Sequence, residues 1–336
     1  MKLEDIAKKA KVSRSTASRV INNDRYVSAD ARQRVLKVIE QEQFEPNPAA
    51  RTLVTRRSNI IGVAIPQTAN VFFGDNSYYP MLLQGIAEAV NKSDHAMLLW
   101  LAESHEVRDV FAKRVVRHRQ PDGLILTSVV DRDPLFEYMV KHNRSFVMVE
   151  TPPAYADRVS YVTIDNVGAA AEATRHLIQI GRKRIAHITG QLTIQDGIDR
   201  LKGFRQTVAE AGLLYEELIK PGMFAAEFGY RLMQELIPLR PDAVFCGGDT
   251  AAIGAIRAIH EAGLRVPDDI AVVGFDDLDV ATKITPALTT IRHRVMDIGS
   301  TAARLLIDLL DGRLEHPHHF VMPTELVIRG STGGQG

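Results

Sequence analysis

The sequence predicts an α/β protein in two parts: a small all-α module at the N-terminus and a larger, two-lobed body built on parallel sheets. Three observations favour this architecture. Residues 1–57 contain no glycine and hold 13 Lys and Arg against 7 Asp and Glu, whereas the remainder of the 336-residue chain holds 28 against 34. Apolar residues recur at helical spacing within 1–45. After Ser58, continuous apolar strands alternate with amphipathic helices, and this run occurs twice.

The composition excludes several classes of protein. Hydrophobic residues make up 45% and charged residues 24%, which is typical of globular rather than disordered chains. The single cysteine, Cys246, leaves no disulfide framework or multi-cysteine metal site, and its apolar strand predicts a buried, unreactive thiol. No apolar run is long enough to span a membrane, and acidic residues stand where a signal peptide needs positive charge. We therefore expect a soluble, cytoplasmic protein.

The N-terminal module is predicted to form three short helices around one small core. The first helix carries an apolar stripe at i, i+3, i+4 and i+7 starting from Leu3. Ser13 is placed to cap a second helix, about 14–21, and Ser28 is placed to cap a third, about 29–42. Three helices of this kind predict a helix-turn-helix unit.

The outward face of the second helix carries side chains that suit DNA recognition. The guanidinium groups of Arg14 and Arg19 can donate bidentately to guanine edges. The hydroxyls of Ser13, Thr16 and Ser18 can bond phosphates or bases. Together with the basic charge, this pattern predicts that the helix enters the major groove, although charge alone leaves open an ordinary solvated surface.

A short helix is also predicted to begin at Asn47, which can cap it, with Pro48 at the preferred first helical position. The helix is too short to be stable alone in water. It contains Leu53, and leucine is one of the residue types that wedge between base steps in the minor groove. We therefore predict a hinge helix and linker over 46–58 that is ordered by a partner.

Several motifs in this region stand in order: Leu3-Glu4-Asp5-Ile6-Ala7, the run from Val12 to Asn22, Val27-Ser28 and Pro46-Asn47. Together they resemble the headpiece of the LacI/GalR family of bacterial transcription regulators. The resemblance implies that Arg14, Ser15 and Arg19 read bases and that Leu53 intercalates at the operator centre. The predicted DNA-binding set is Ser13, Arg14, Ser15, Thr16, Ser18, Arg19, Asn22, Asn47, Ala50 and Leu53. Lys11 departs from the family's usual glycine in the turn, and we expect a left-handed backbone there at a cost of about 1 kcal/mol.

The body is predicted to contain two parallel sheets with a cleft between two lobes. Apolar strands are expected at 60–65, 96–100, 123–126 and 146–149, and again at 184–188, 243–246 and 270–274. The carboxyl ends of such strands present loops to the cleft. The expected organisation is a headpiece over 1–45, a linker over 46–58, a core over 59–330 and a flexible tail over 331–336. Within the core we expect one lobe over 59–161 plus 292–318 and the other over 162–291 plus 319–330.

Motifs of the body resemble the effector-binding core of the same family, so that the resemblance covers about residues 2–330. They are Val162-Thr163-Ile164-Asp165, Arg200-Leu201-Lys202-Gly203-Phe204, Val273-Gly274-Phe275-Asp276-Asp277 and Pro286-Ala287-Leu288-Thr289-Thr290-Ile291. The resemblance implies a type I periplasmic-binding-protein-like fold whose strands cross between lobes more than once. It also implies that effector-binding residues are Tyr78, Tyr79, Asp165, Arg200, Phe224 and Asp276. The alternatives are core packing for the aromatic residues and a structural ion pair for Arg200 and Asp276.

Two departures from the family pattern concern the ligand. In Gly247-Gly248-Asp249, Gly248 offers the ligand no side chain, and Asp249 is expected to cap the following helix. The loop Gln67–Asp75 is longer than is typical, and its apolar residues can line or cover the cleft. Both features are consistent with a larger or differently shaped saccharide.

The function predicted from these features is sequence-specific transcription regulation, as a repressor that binds a palindromic operator as a homodimer. A small-molecule effector in the cleft, most simply a saccharide, is expected to shift one lobe against the other and so alter the hinge helices. No enzyme activity, cofactor or metal is expected, since neither a nucleotide-binding motif nor a nucleophile or acid–base pair is recognisable. The alternatives are a sugar-binding receptor or a sugar-acting enzyme without a DNA function.

Overall fold

The computed structural model describes residues 1–21, 26–44, 57–66, 77–102, 110, 121–315 and 317–334. The chain divides into two compact units, Met1–Asn59 and Ile60–Gly336. No helix among these described residues has the length and apolar character that crossing a membrane requires.

The N-terminal unit contains α1 (Leu3–Lys9), α2 (Arg14–Ile21) and α3 (Ala29–Gln41). Both predicted helix caps are confirmed: Ser13 Oγ accepts from the Thr16 N–H at 3.0 Å, and Ser28 Oγ accepts from the Ala31 N–H at 3.4 Å. Lys11 has a φ of 56°, so the left-handed turn expected from the missing glycine is also confirmed.

A small apolar core holds these helices together. Ile6 of α1, Ala17 and Val20 of α2, and Val35 of α3 are buried and pack in one cluster. An ion pair of 2.6 Å between Lys9 Nζ and Glu42 Oε1 joins the end of α1 to the residue after α3. The packing leaves the opposite side of α2 open to solvent.

The described part of the body contains twelve strands and seven helices. In chain order the strands are β1 (Ile60–Pro66), β2 (Ala96–Ala102), β3 (Gly123–Thr127), β4 (Phe146–Val149), β5 (Ser160–Ile164), β6 (Ile185–Ile188), β7 (Ile219–Lys220), β8 (Ala243–Cys246), β9 (Ala271–Asp276), β10 (Thr289–His293), β11 (His319–Met322) and β12 (Thr324–Val327). The helices are α4 (Tyr78–Asn91), α5 (Pro134–Lys141), α6 (Asn166–Gln179), α7 (Gln195–Glu210), α8 (Ala226–Leu236), α9 (Asp249–Glu261) and α10 (Val295–Leu310).

The strands form two six-stranded sheets, in the orders β11-β5-β4-β3-β1-β2 and β12-β10-β9-β8-β6-β7. Strands β10 and β12 pair antiparallel, and the other pairings among the described strands are parallel. The predicted α/β class with parallel sheets is therefore confirmed. The predicted lobe boundaries at 161, 291 and 318 fall inside or just before strands. The first sheet includes the whole of β5 and β11, and the second sheet includes the whole of β10, so each crossing between the lobes comes a few residues later than predicted.

Close helix contacts support the first sheet. Gly85 lets α4 approach α10, because a Cβ at this position would lie 2.0 Å from the carbonyl oxygen of Met296. The helix that follows β10 thus packs beside the helix that follows β1, and the apolar residues of both belong to one core cluster.

The C-terminal segment corrects the prediction of a flexible tail from residue 331. Ser331 is fully buried, and its Oγ donates to the Val272 carbonyl at 2.6 Å and accepts from the Thr289 N–H at 2.8 Å. The Thr332 hydroxyl lies 2.9 Å from His176 Nε2. These hydroxyls bond groups far away in the sequence, which is why a Gly-rich and polar segment is anchored instead of free.

The second lobe contains a buried histidine, His187 of β6. Its ring stacks between Phe204 and Phe245, with centroid distances of 4.6 and 4.8 Å. Nδ1 lies 2.8 Å from the Phe245 carbonyl oxygen and must therefore carry the proton. Burial lowers the pKa of His187 to about 4, so the ring is neutral in the folded protein at pH 7.

We predict that His187 makes the body less stable as the pH falls from about 6.5 towards 4. In this window the unfolded chain binds a proton on this ring that the folded chain does not, so stability decreases with decreasing pH. Between about pH 7 and pH 5 the effect amounts to about 2 kcal/mol. Urea unfolding of His187→Leu should show a smaller pH dependence than wild type, and His260→Gln, at an exposed histidine, should not. Equal pH dependence in all three proteins would contradict this assignment.

Candidate functional site

Polar side chains gather where strands of both sheets reach their carboxyl ends. Asp276 ends β9 and His293 ends β10, while Gly247 and Gly248 follow β8. On the first sheet, Glu150 follows β4. This edge is where parallel α/β sheets bind ligands.

Arg200 of α7 is the centre of this cluster and is 3% exposed. Its Nε donates to Asn166 Oδ1 at 2.9 Å, and its Nη1 donates to the Gly247 carbonyl at 2.6 Å. Nη1 also lies 3.3 Å from Asp276 Oδ1. The guanidinium plane covers the ring of Phe275, with Cζ 3.6 Å from the centroid. A buried cation is tolerable only with partners of this kind.

Asp276 is held in an unusual backbone conformation. Its φ is 109° and that of Asp277 is 53°, a region that residues with a Cβ seldom occupy. Asp276 Oδ1 accepts from His293 Nε2 at 3.0 Å. The Asp277 carboxylate lies 2.6 Å from both Arg292 Nε and Arg329 Nη2. These contacts stabilise the strained turn and fix the direction of the Asp276 carboxylate.

Phe224 closes one side of the cluster because two glycines make room for its ring. A Cβ on Gly190 would lie 2.1 Å from Phe224 ring atoms. A Cβ on Gly248 would lie 3.1 Å from Phe224 Cδ1 and 3.5 Å from Asp276 Oδ2. Gly248 has a φ of −165°, which any residue adopts. The missing side chain therefore lets the Phe224 ring pack against this backbone beside the Asp276 carboxylate.

Tyr78 and Tyr79 begin α4 on the side of the first lobe. Their rings meet edge to face with centroids 5.3 Å apart, and the Tyr78 ring lies 6.1 Å from that of His293. The Tyr79 hydroxyl is 2.7 Å from Ser128 Oγ. Burial raises the pKa of Tyr78 well above its ordinary value, and the carboxylate of Asp196 adds to the effect. Tyr78 therefore lies near charged groups of the second lobe.

Asp165 is not part of this cluster. It is exposed, and its carboxylate accepts from the Gly168 N–H at 2.9 Å, so that it caps α6. The next residue, Asn166, instead contacts Arg200 and donates to Asp196 Oδ1 at 2.9 Å. The structure thus brings together Tyr78, Arg200, Phe224 and Asp276, with Tyr79 adjacent to Tyr78.

The expectation that Asp249 caps α9 is wrong. Gly248 is the N-cap residue, and the buried Asp249 carboxylate accepts from the Leu278 N–H at 2.8 Å and from the Thr290 hydroxyl at 2.6 Å. Burial raises the pKa of Asp249 well above its usual range. Asp249 therefore ties the turn after β9 to β10, behind Asp276.

Sequence reasoning missed Asn166, Asp196 and His293. Asn166 directly follows Asp165, and Asp196 stands shortly before Arg200. His293 comes two residues after Ile291, where the last motif ends. His293 Nδ1 is buried and has no hydrogen-bond partner in the part of the chain that the structure describes. Nδ1 therefore remains for a hydrogen bond to a bound molecule, while Nε2 donates to Asp276. Across the described ranges, no group of three or more His, Cys, Asp or Glu side chains is arranged to hold a metal ion.

The N-terminal unit exposes most of the predicted DNA-contacting side chains. Ser13, Arg14, Ser15 and Arg19 are exposed, whereas Thr16 and Ser18 are half-buried. The predicted contacts Asn22, Asn47, Ala50 and Leu53, the hinge segment 46–56 and the loop Gln67–Asp75 lie outside the described residues.

A helix-turn-helix unit joined to a two-lobed body with a polar interlobe cluster defines a ligand-controlled DNA-binding regulator. Comparison with protein families agrees: the model of "Bacterial regulatory proteins, lacI family" matches residues 2–47, and that of "Periplasmic binding protein-like domain" matches 174–332. The chain belongs to the LacI family of bacterial transcriptional regulators, as the sequence motifs predict.

Relatives match over nearly the whole chain. The transcriptional regulator CelR of Thermobifida fusca is 34% identical over 98% of this chain and 97% of its own. The repressor PurR of Escherichia coli is 31% identical over 98% and 96%. Among solved structures, a CelR–cellobiose complex is 31% identical with a TM-score of 0.78, covering 98% and 99%. A lac repressor dimer bound to operator and the anti-inducer ONPF is 25% identical with a TM-score of 0.83, covering 99% of both chains. These relatives are regulators of transcription.

We predict that Arg200 and Asp276 are energetically coupled. Arg200→Gln should lower the free energy of unfolding by about 3–5 kcal/mol, because it leaves buried carboxylates without their cation. In Arg200→Gln/Asp276→Asn, the loss should be about 1–3 kcal/mol smaller than the sum of the two single losses. Urea unfolding measures both quantities. The exposed pair Arg257–Glu261 is the control, and removal of its cation should change the free energy of unfolding little because the pair is solvated. Strictly additive losses at Arg200 and Asp276 would contradict the coupling.

Proposed function

We propose that this chain is a repressor whose operator affinity is controlled by a saccharide, of at least disaccharide size, bound beside Arg200, Asp276 and Phe224. The observation that carries the proposal is that the half-buried Phe224 ring and the Asp276 carboxylate both lie beside the buried guanidinium of Arg200.

The chemistry of the cluster suits a polyol with apolar faces. A guanidinium supplies paired donors and a carboxylate supplies paired acceptors, which together match vicinal hydroxyls. The Phe224 ring offers a flat apolar surface for the C–H face of a pyranose ring. His293 Nδ1, which is buried and has no partner among the described residues, adds a site for one hydroxyl.

Gly248 keeps a side chain away from the place where we propose the saccharide binds. A Cβ here would lie 3.1 Å from Phe224 Cδ1 and 3.5 Å from Asp276 Oδ2. The relative whose structure contains cellobiose supports a ligand of two or more sugar rings. The long loop at Gln67–Asp75 is consistent with the same proposal.

The proposed mechanism uses two copies of the chain on a palindromic operator. A homodimer places two headpieces about one DNA turn apart, so that each α2 faces a half-site. A hinge helix over 46–58 is marginal alone and needs its partner copy and DNA, so a change in lobe geometry is enough to destabilise it. The dimeric lac repressor on its operator supports this arrangement. We further propose that the protein acts in the cytoplasm and is not an enzyme, in line with its relatives.

We predict that di- and oligosaccharides stabilise the full-length protein more than monosaccharides do in a thermal-shift panel. At a concentration of 100 times Kd, a ligand adds about 2.7 kcal/mol. Gly248→Asn should lose most of the ligand-induced shift, because its side chain would stand beside the Phe224 ring and the Asp276 carboxylate. Its Cβ would lie 3.1 Å from Phe224 Cδ1, so the unliganded melting temperature should fall slightly. Gly181→Asn at an exposed, left-handed turn is the matched control, and it should keep the shift. Stabilisation by purines or other non-sugar metabolites alone, or an unchanged shift in Gly248→Asn, would reject the proposal.

A further inference from the structure

We propose that Glu4 is a positioning residue that restricts how Arg14 reads DNA. This inference rests on the expectation that Arg14 contacts a base. Glu4 belongs to α1 and Arg14 is the first residue of α2. Glu4 Oε1 lies 2.9 Å from Arg14 Nε.

The pair lies on the open side of the N-terminal unit. The side chains of Glu4 and Arg14 are 55% and 71% exposed, whereas Ala17 and Val20 turn the other side of α2 into the core. In helix-turn-helix units, the N-terminal residues of the second helix reach the base edges while the first helix lies near the backbone. Glu4 therefore places a carboxylate at the edge of the surface that faces the duplex.

Capping of the two helices does not depend on Glu4. At α1, the Asp5 carboxylate accepts from the Lys2 N–H at 2.9 Å. At α2, the Ser13 hydroxyl accepts from the Thr16 N–H at 3.0 Å. An exposed ion pair contributes little to folding stability, so stability gives no sufficient reason for the Glu4–Arg14 contact.

The contact selects one of two ways in which arginine can bind guanine. A guanidinium has five N–H donors, and bidentate recognition of O6 and N7 uses either both terminal nitrogens or Nε with one of them. Because Glu4 occupies Nε, the two terminal nitrogens remain for an end-on approach to a base. The carboxylate also restrains Arg14 from moving to a phosphate, where it would carry no sequence information.

The same carboxylate opposes binding to arbitrary DNA, because it repels phosphates. Glu4 should therefore raise base preference at one position and lower affinity for non-cognate duplexes. A glutamine at this position keeps an acceptor oxygen but loses the charge, whereas alanine loses both. The two substitutions thus separate positioning from electrostatics.

The test uses the full-length protein and a duplex selected by wild type from a random pool. Fluorescence anisotropy then measures affinity for this duplex, each single-base variant and a scrambled duplex. Glu4→Ala should lose about 5–20-fold of base discrimination at one position of each half-site, the position at which Arg14→Ala also loses its preference. Glu4→Gln should keep most of this discrimination. Both Glu4 variants should bind the scrambled duplex more tightly than wild type.

Glu42→Gln is the matched control, because it removes the same charge from an ion pair elsewhere in this unit. It should tighten scrambled binding without changing any base preference. If Glu4→Ala and Glu4→Gln tighten all duplexes equally and keep every preference, the pair is a surface ion pair only and the inference fails. If Arg14→Ala leaves every preference intact, base reading by Arg14 fails, and the role of Glu4 fails with it.

Discussion

Burial of the Arg200 guanidinium is the constraint on which the body of this protein depends. A cation that is 3% exposed requires partners, and Arg200 takes them from the start of α6, the loop after β8 and the end of β9. Three elements that are distant in sequence are thereby fixed around one group. We propose that the same group also donates to a ligand, so that the chemistry that stabilises the second lobe would serve its binding site as well.

The turn at Asp276 connects this cluster to the rest of the fold. Its left-handed backbone is stabilised by His293 and, through Asp277, by Arg292 and Arg329. His293 ends β10, and the chain crosses to α10 beside the first lobe immediately afterwards. A ligand that moves Asp276 therefore acts on a residue at a crossing between the lobes. A ligand bound at Asp276 would in this way have a direct physical route to lobe geometry.

Local features were predictable from the sequence, whereas long-range ones were not. The caps at Ser13 and Ser28 are local, because each serine hydroxyl accepts from an N–H three residues further along the chain. The left-handed backbone at Lys11 was predictable from the resemblance, since the family usually has glycine at this position. The motifs indicated Arg200 and Asp276. The Asp165 carboxylate, however, caps the helix that follows it, and the next residue, Asn166, contacts Arg200 instead. Ser331 looked flexible because its partners in β9 and β10 are more than forty residues away. Such hydrogen bonds have no signature in the local pattern.

We propose that the Arg200–Asp276 cluster transmits the presence of an effector to DNA binding. Operator affinity, measured by fluorescence anisotropy with and without the stabilising saccharide in wild type and in Asp276→Asn, tests this proposal. The saccharide should change the wild-type Kd by about 5–150-fold and that of Asp276→Asn by less than about twofold. If both proteins respond equally to the saccharide, the cluster does not carry the signal.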